Sequence, residues 1–160
     1  MRGFAFVPVV CALFIAASGC ARAETQQEGG GGMSGGNRET VIVEIRGRKA
    51  EMRLADTRAA RALAERLAQG EVVYTAEDYG GFEKTGSPGF SLPADDRNIT
   101  ANPGDAVLYQ GRQIVLFYGS NRWAYTRLGS FPGLSQQELE DFLCAGQGNV
   151  EVTFRAAETP

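Results

Sequence analysis

The stretch AVLYQGRQIVLFYG, residues 106–119, decides how this sequence is expected to fold. Gly111 and Arg112 stand between two apolar runs, and a glycine at that point is typical of the turn of a β-hairpin. Both runs are apolar almost throughout and do not alternate with polar residues. The sequence therefore predicts two adjacent antiparallel strands, both in the middle of a sheet.

Further strands are predicted on both sides of this hairpin. Residues 40–55, TVIVEIRGRKAEMRLA, predict two strands around Gly47 and Arg48, because apolar residues recur at every second position. EVVYTAE (71–77), WAYTRLGSF (123–131) and NVEVTFR (149–155) predict three more. The side chains expected to face the core are Val41, Val43, Ile45, Ala50, Met52, Leu54, Val150, Val152 and Phe154.

Two short helices are predicted between the strands. The first is expected to begin at Asp56 as its N-cap and to end at Gly70, with an apolar stripe on one side. The second, SQQELEDFLCAG, is expected to begin with a capping box between Ser135 and Glu138 and to end at Gly146. The residues of the first stripe are Ala60, Leu63, Ala64 and Leu67.

The order of these elements predicts the fold class. Two short helices cannot cover both faces of a parallel sheet, whereas an antiparallel sheet that closes on itself buries one face without them. The sequence therefore predicts a mainly β domain over residues 38–157. Its architecture is expected to be a closed antiparallel β-barrel, capped at each end by one α-helix.

Residues 77–93, EDYGGFEKTGSPGFSLP, have neither a helical nor a strand period. The segment is interpreted as a loop that crosses the barrel, and Gly80 and Gly81 are expected to adopt positive φ or to allow close backbone approach. Its aromatic side chains either line a binding site or pack down as a lid. Glu83 and Lys84 either orient a polar ligand or form a solvated ion pair. Beside an apolar wall, the pKa of Glu83 would rise.

Composition excludes several function classes. The 160 residues contain no histidine, which excludes a Ser-His or Cys-His nucleophile pair and any His-ligated metal site. A net charge of -3 without a basic run indicates no nucleic-acid partner. Cys144 has no partner for a disulfide and is interpreted as a buried thiol. No metal and no cofactor are expected.

The first 37 residues predict where the protein resides. Arg2 and the uncharged segment that follows have the pattern of a signal peptide over residues 1–19. It ends in ASGC, which resembles the bacterial lipobox, and this resemblance implies that Cys20 is acylated and holds the protein at the bilayer. The alternatives are an ordinary cleaved signal, cut after Ala23, and an uncleaved anchor. Residues 20–37 are then a lipidated cysteine and a glycine-rich linker. The expected location is the cell envelope, at the outer membrane if the host is Gram-negative.

Several motifs are similar to one family. DYGGFEKTG, SLP, NPGDAVLYQG, VLFYGS and AYTRLG occur in the order found in the small bacterial cyclophilin-like domains, and the resemblance covers about residues 39–155. It implies a cyclophilin-like fold. Proline isomerases of that fold carry an arginine after the first helix, a nearby glutamine and a histidine beside the pocket. VVYTAEDYGGFEKTG has neither arginine nor glutamine, so no catalytic residue carries over.

The candidate pocket comes from the loop and from one strand. Aromatic side chains outside a periodic element suggest a concave site, and an arginine flanked by aromatics on one strand face can hold a carboxylate or stack on a planar group. Arg127 bracing the loop is the alternative. The residues expected to surround the pocket are Tyr79, Phe82, Glu83, Phe90, Trp123, Tyr125 and Arg127.

The sequence thus favours a membrane-anchored, non-catalytic module that binds a small molecule or peptide. A peptidyl-prolyl isomerase is the enzymatic alternative. A structural envelope or assembly module is the other, and its signature would be aromatic side chains that fill the site and leave no cavity.

Overall fold

Nine strands and two helices make up residues 39–157, the part of the chain that the computed structural model describes. The predicted signal peptide, Cys20 and the linker of residues 20–37 lie outside it. The elements are β1 (Thr40–Ile45), β2 (Arg48–Leu54), α1 (Arg58–Leu67), β3 (Val72–Tyr79), β4 (Glu83–Gly86), β5 (Arg97–Ala101), β6 (Asp105–Tyr109), β7 (Gln113–Phe117), β8 (Asn121–Ser130), α2 (Gln136–Leu143) and β9 (Val150–Ala156). Within this range, neither helix has the length and apolar character needed to cross a membrane.

The strands form a single antiparallel sheet that closes into a ring. Its order is β2-β1-β9-β3-β4-β7-β6-β8, and β8 returns to β2. Strand β5 stands outside the ring and pairs with the first half of β8. The predicted mainly β, closed antiparallel architecture is confirmed, and the hairpin strands β6 and β7 lie inside the sheet as expected.

The ring closes where β2 meets β8 through two residue pairs, Arg53 with Ser130 and Leu54 with Gly129. No other contact between neighbouring strands of the ring has so few pairs. A Cβ atom on Gly129 would lie 2.5 Å from the carbonyl oxygen of Arg53. Only glycine allows the two backbones to approach this closely.

The hydrophobic core fills the inside of the ring. Five of the side chains predicted from their alternation to face the core are fully buried, with 0% exposure: Val43, Ile45, Met52, Val152 and Phe154. Ala50 is only partly buried and packs at the margin of the core. Because both helices add buried side chains to this cluster, they seal the interior that the strands enclose.

The helices lie at opposite ends of β2. Helix α1 follows the last residues of β2, whereas Arg48, the first residue of β2, donates a hydrogen bond to the carbonyl oxygen of Asp141 in α2. The capping box of Ser135 and Glu138 is confirmed. Cys144, in the left-handed conformation at φ 53°, caps the other end of α2, so the prediction that Gly146 ends this helix is wrong.

The N-cap of α1 is Thr57, and the prediction of Asp56 is wrong. The Thr57 hydroxyl accepts a hydrogen bond from the backbone N–H of Ala60 at 3.1 Å. The carboxylate of Asp56 instead pairs with Arg61. Ala68 is the C-cap, so the helix ends before Gly70.

Residues 77–93 are not wholly a loop, which corrects the interpretation of this segment. Strand β3 continues to Tyr79, and β4 pairs with both β3 and β7. Strand β4 lacks an apolar alternation because its fully buried residue is Lys84. Strand β5 was not predicted either, because it is short and mostly polar.

An ion pair between the fully buried Lys84 and the partly buried Asp78 lies where β3 and β4 run side by side. Lys84 Nζ is 2.8 Å from Asp78 Oδ2 and donates to the carbonyl oxygen of Gly148 at 2.5 Å. Asp78 also accepts hydrogen bonds from the Tyr118 hydroxyl at 3.1 Å and from the backbone N–H groups of Gly146 and Gly148 at 3.2 and 2.8 Å. This cluster ties the segment between α2 and β9 to the sheet. Lys84 therefore does not form the solvated pair with Glu83 that was one of the expectations.

Candidate functional site

The outer face of the ring carries a second apolar layer. Val107, Val115, Phe117 and Tyr125 alternate along β6, β7 and β8 with the side chains that face the core, and they form a separate buried cluster with Ala101 of β5. Phe82, Ile99 and Tyr109 pack against this cluster. Strands that are apolar on both faces thus support an interior core and an exterior site.

A cleft of about 660 Å³ opens over this outer layer. It lies on the outer side of the sheet and not at an end of the ring. Its lining residues are Glu77, Tyr79, Gly80, Phe82, Glu83, Thr85, Tyr109, Gln113, Val115, Asn121, Trp123 and Tyr125. Five of the seven predicted pocket residues are among them, and the space they enclose is not filled by aromatic side chains.

The floor of the cleft is a chain of aromatic contacts. The rings of Phe82 and Phe117 stack with centroids 6.3 Å apart, and Tyr125 meets Phe117 edge-on at 5.7 Å. Tyr109 in turn meets Tyr125 at 6.0 Å. At the rim, Tyr79 is 63% exposed and Trp123 is 56% exposed. Large aromatic side chains left in water beside an apolar floor are typical of a surface that binds a partner or ligand.

Phe82 is positioned by glycines on two sides. A Cβ on Gly80 would lie 2.3 Å from the Phe82 ring, and one on Gly119 would lie 2.6 Å from the Phe82 Cβ. The backbone N–H groups of Tyr118 and Gly119 donate to the Phe82 carbonyl oxygen at 3.0 and 2.8 Å. The expected positive φ of Gly80 and Gly81 is confirmed at 62° and 75°. These glycines therefore shape the wall of the cleft.

Glu83 is the most unusual polar group in the cleft. The residue is 6% exposed, and its Oε2 atom is buried without a hydrogen-bond partner among residues 39–157. Burial raises the pKa of Glu83 to about 7. Because the carboxyl sits against an apolar wall, its pKa moves as the sequence reasoning anticipated for that environment. Thr85, the next outward residue of β4, also has a buried hydroxyl oxygen without a partner in the described part of the chain.

Tyr125 lies near Glu83 and makes a hydrogen bond within the polar lining. Its hydroxyl accepts a hydrogen bond from Asn121 Nδ2 at 2.9 Å. Burial, and then the nearby charge of Glu83, raise the pKa of Tyr125. The Tyr109 hydroxyl accepts a hydrogen bond from Gln110 Nε2 at 3.0 Å. The cleft thus combines an apolar floor with several convergent polar groups, the composition of small-molecule sites in general.

Phe90 and Arg127 do not line this cleft. Phe90 packs against the main core, and the guanidinium of Arg66 lies 5.1 Å from the centroid of its ring. Arg127 is held away because it pairs with Asp105 at 3.0 Å and donates to the carbonyl oxygen of Thr100 at 3.2 Å. These two residues thus lie apart from the other five that were predicted to surround the pocket. The side-chain hydrogen bonds of Arg127 go to Asp105 and Thr100 and not to the DYGG loop.

The lining residues that the sequence reasoning missed fall into three groups. Glu77 is the last residue of a predicted strand, whereas Thr85 lies on a strand that was interpreted as loop. Tyr109 and Val115 belong to the hairpin, where the apolar outer face was a signal that something covers it. Gln113 and Asn121 carry no such signal. Among residues 39–157, no group of three or more Cys, Asp or Glu side chains is placed to hold a metal ion.

The geometry defines a closed antiparallel β-domain with a ligand-sized cleft on its outer face. The sequence model of the Cyclophilin-like family matches residues 43–155, so the chain belongs to that family. The solution structure of a hypothetical protein from Archaeoglobus fulgidus has a similar fold, with a TM-score of 0.56 and 15% sequence identity. The match covers 75% of this chain and 95% of that chain. No curated protein matches the sequence.

Proposed function

We propose that this domain is a non-catalytic binding module whose outer cleft takes a small molecule or a side chain of a peptide. The observation that carries the proposal is the buried Glu83 oxygen without a partner at an aromatic cleft. A buried polar group without a hydrogen bond costs about 1–3 kcal/mol. A ligand that supplies the missing hydrogen bond recovers that free energy, which supports a binding role for this position.

The size and shape of the cleft support the same function. Its volume of about 660 Å³ is within the range of roughly 300–1,000 Å³ typical of small-molecule sites. Its floor is fixed by stacked rings, whereas Tyr79 and Trp123 stand at the rim. The described residues that line it include no arginine, the residue on which the family's proline isomerases rely. The lining therefore supports binding and offers no counterpart of that catalysis.

The only tryptophan of the chain, Trp123, reports directly on occupancy of the cleft. We expect its fluorescence, and the NMR signal of its indole N–H, to change when one or more blocked tripeptides of the form acetyl-Gly-X-Gly-amide bind. The panel has lysine, glutamate, phenylalanine, proline or serine at X. Binding is measured by titration of the protein with each peptide.

A matched pair of variants locates the binding. Thr85→Phe puts a ring into the cleft and should abolish the response. Thr75→Phe makes the same change at an exposed position of β3 outside the cleft and should leave the response intact. Equal responses from the two variants would contradict the proposal.

We also propose that the domain is held at the cell-envelope membrane through acylated Cys20. The sequence supports this through the charged Arg2, the uncharged segment, the ASGC motif and the glycine-rich stretch that follows. Two or more hydrophobic chains give stable attachment where one gives only marginal binding. In the native host, the protein should partition with membranes and Cys20→Ser should release it or block its processing. Mass spectrometry that finds residue 20 without fatty acid would refute this anchor.

A further inference from the structure

We propose further that the cleft recognises an organic cation that carries N–H groups, a primary ammonium or a guanidinium, in preference to a neutral or anionic group. The inference rests on the proposed binding function and names the class of ligand. It comes from three features of the cleft: the charges that line it, the rings that surround it and the position of the Glu83 carboxyl.

The charges of the lining all have the same sign. Of the twelve lining residues, Glu77 and Glu83 are acidic and none is lysine or arginine. Lys84 is adjacent in sequence, but it faces the inside of the ring and pairs with Asp78. Arg127 is committed to Asp105. With no cation at hand to offset the carboxyl groups, the cleft repels anions and favours a positive group.

The rings of the cleft add to this preference. Five lining residues are aromatic, namely Tyr79, Phe82, Tyr109, Trp123 and Tyr125. The face of an aromatic ring attracts a cation, and tryptophan does so most strongly. Trp123 and Tyr79 are the exposed ones, so an incoming cation meets them first and can exchange part of its hydration shell for ring faces.

The Glu83 carboxyl selects among cations. Its buried Oε2 has no partner within residues 39–157, so the position needs a hydrogen-bond donor. A primary ammonium has three N–H donors and a guanidinium has five, whereas a quaternary ammonium has none. A hydrogen bond between a cation and a carboxylate is among the strong ones in proteins. The cleft therefore suits a cation with N–H groups better than a fully methylated one.

Binding of such a cation is coupled to a proton. In the empty cleft the pKa of Glu83 is raised to about 7 by burial, and a cation beside it lowers that pKa again. The affinity should then increase with pH. The other titratable side chains that face Glu83 are Glu77 and Tyr79 from β3, Tyr109 from β6, Tyr118 after β7 and Tyr125 from β8. Tyrosine hydroxyls do not ionise between pH 5 and 8, and Glu77→Gln separates the contribution of Glu77.

Four small probes of similar size test the inference: butylammonium, butanol, butyrate and tetramethylammonium. Titrations are followed by Trp123 fluorescence and by NMR of its indole N–H. We expect butylammonium to bind about tenfold more tightly than butanol, and butyrate to bind most weakly. Between pH 5.5 and pH 8 the affinity for butylammonium should rise about tenfold, which corresponds to a change of one unit in the pKa of Glu83.

The variants assign the effect to Glu83. Glu83→Gln keeps the shape of the side chain, and it should remove the dependence on pH and most of the preference over butanol. Glu77→Gln should keep the dependence on pH. Glu51→Gln, an exposed position on β2, makes the same change of charge away from the cleft and should alter nothing.

Three results would overturn the inference. One is butanol or butyrate binding as tightly as butylammonium. Another is tetramethylammonium doing so, because it cannot donate to Glu83. The last is a response of Trp123 to the tripeptides but to none of the four probes. In each of these cases the proposed binding function still stands, whereas silence towards both panels would end both proposals.

Discussion

Asp78→Ala is expected to lower the free energy of unfolding by about 3–5 kcal/mol, the typical cost of removing one partner of a buried ion pair. Lys84 is fully buried, so without Asp78 its charge would have no carboxylate beside it and little access to water. The backbone N–H groups of Gly146 and Gly148 would lose their acceptor as well. Urea denaturation of the wild type and the variant measures the difference.

Two further variants test the cause. The double variant Asp78→Ala with Lys84→Met removes both charges and should recover much of the lost stability, because methionine fills the space without a charge. Glu44→Ala breaks two long ion pairs with exposed cations, Lys49 at 4.0 Å and Arg155 at 3.9 Å, and should cost less than about 1 kcal/mol. If Asp78→Ala costs no more than Glu44→Ala, the buried pair does not hold this end of the ring together.

The same cluster has a consequence for acid stability. Burial alone would raise the pKa of Asp78, but the hydrogen bonds from Lys84, from the backbone of Gly146 and Gly148 and from Tyr118 together lower it below its ordinary value. Stability from Asp78 is therefore present above the pKa of the unfolded chain and is lost as the pH falls through the lower pKa of the folded state. That window lies well below the one in which Glu83 titrates.

The second large effect is the contribution of Glu83 to the pH dependence of stability, and it is opposite in sign to that of Asp78. Its pKa is about 4.5 in the unfolded chain and about 7 in the folded domain, so between these values the folded state binds more protons. The free energy of unfolding should therefore fall as the pH rises from 4.5 to 7.5. At about 1.4 kcal/mol per pKa unit, the loss from this one group is at most about 3.5 kcal/mol. Urea denaturation at a series of pH values measures it.

Glu83→Gln isolates the contribution. Glutamine has the shape of the protonated acid and does not ionise, so the variant should lose this decline and be more stable than the wild type above pH 7. Glu51→Gln changes the charge equally at an exposed site and should follow the wild-type curve. Parallel curves for Glu83→Gln and the wild type would show that the carboxyl is ionised at no cost in the folded domain.

Most strands and one helix start could be predicted from patterns of neighbouring residues. Alternating residues around Met52 and Phe154, and the capping box at Ser135, report their own environment within a few positions. Strand β4 was not predicted because its inward position holds Lys84. This charge can be buried there because it pairs with Asp78, 6 residues earlier in the chain. No pattern of hydrophobicity can reveal a buried charge that is neutralised by another strand. The N-cap of α1 was predicted wrongly for a similar reason. Asp56 and Thr57 are both good N-cap residues, but the Asp56 carboxylate pairs with Arg61 and Thr57 becomes the cap.

In the candidate site, too, some residues could be predicted from local sequence and others could not. Tyr79, Phe82 and Trp123 could be found because aromatic side chains outside a buried stripe need an explanation. Arg127 could not be excluded from sequence, because its long side chain reaches whichever carboxylate the fold brings near, and that is Asp105. The environment of Glu83 likewise depends on the outer apolar layer, which forms only when separate strands of the ring come together.

The short pairing between β2 and β8 is the position where the ring is expected to open first. Two residue pairs form it, with hydrogen bonds from Ala55 and Thr57 to the carbonyl oxygens of Leu128 and Arg127 beside them, and Gly129 contributes no side chain to shield the backbone there. Parting of this join would leave two strands at once with unsatisfied edges, each of the right shape for the other strand of a second molecule. At high concentration or temperature, reciprocal exchange of strands between copies is therefore expected to start at this position.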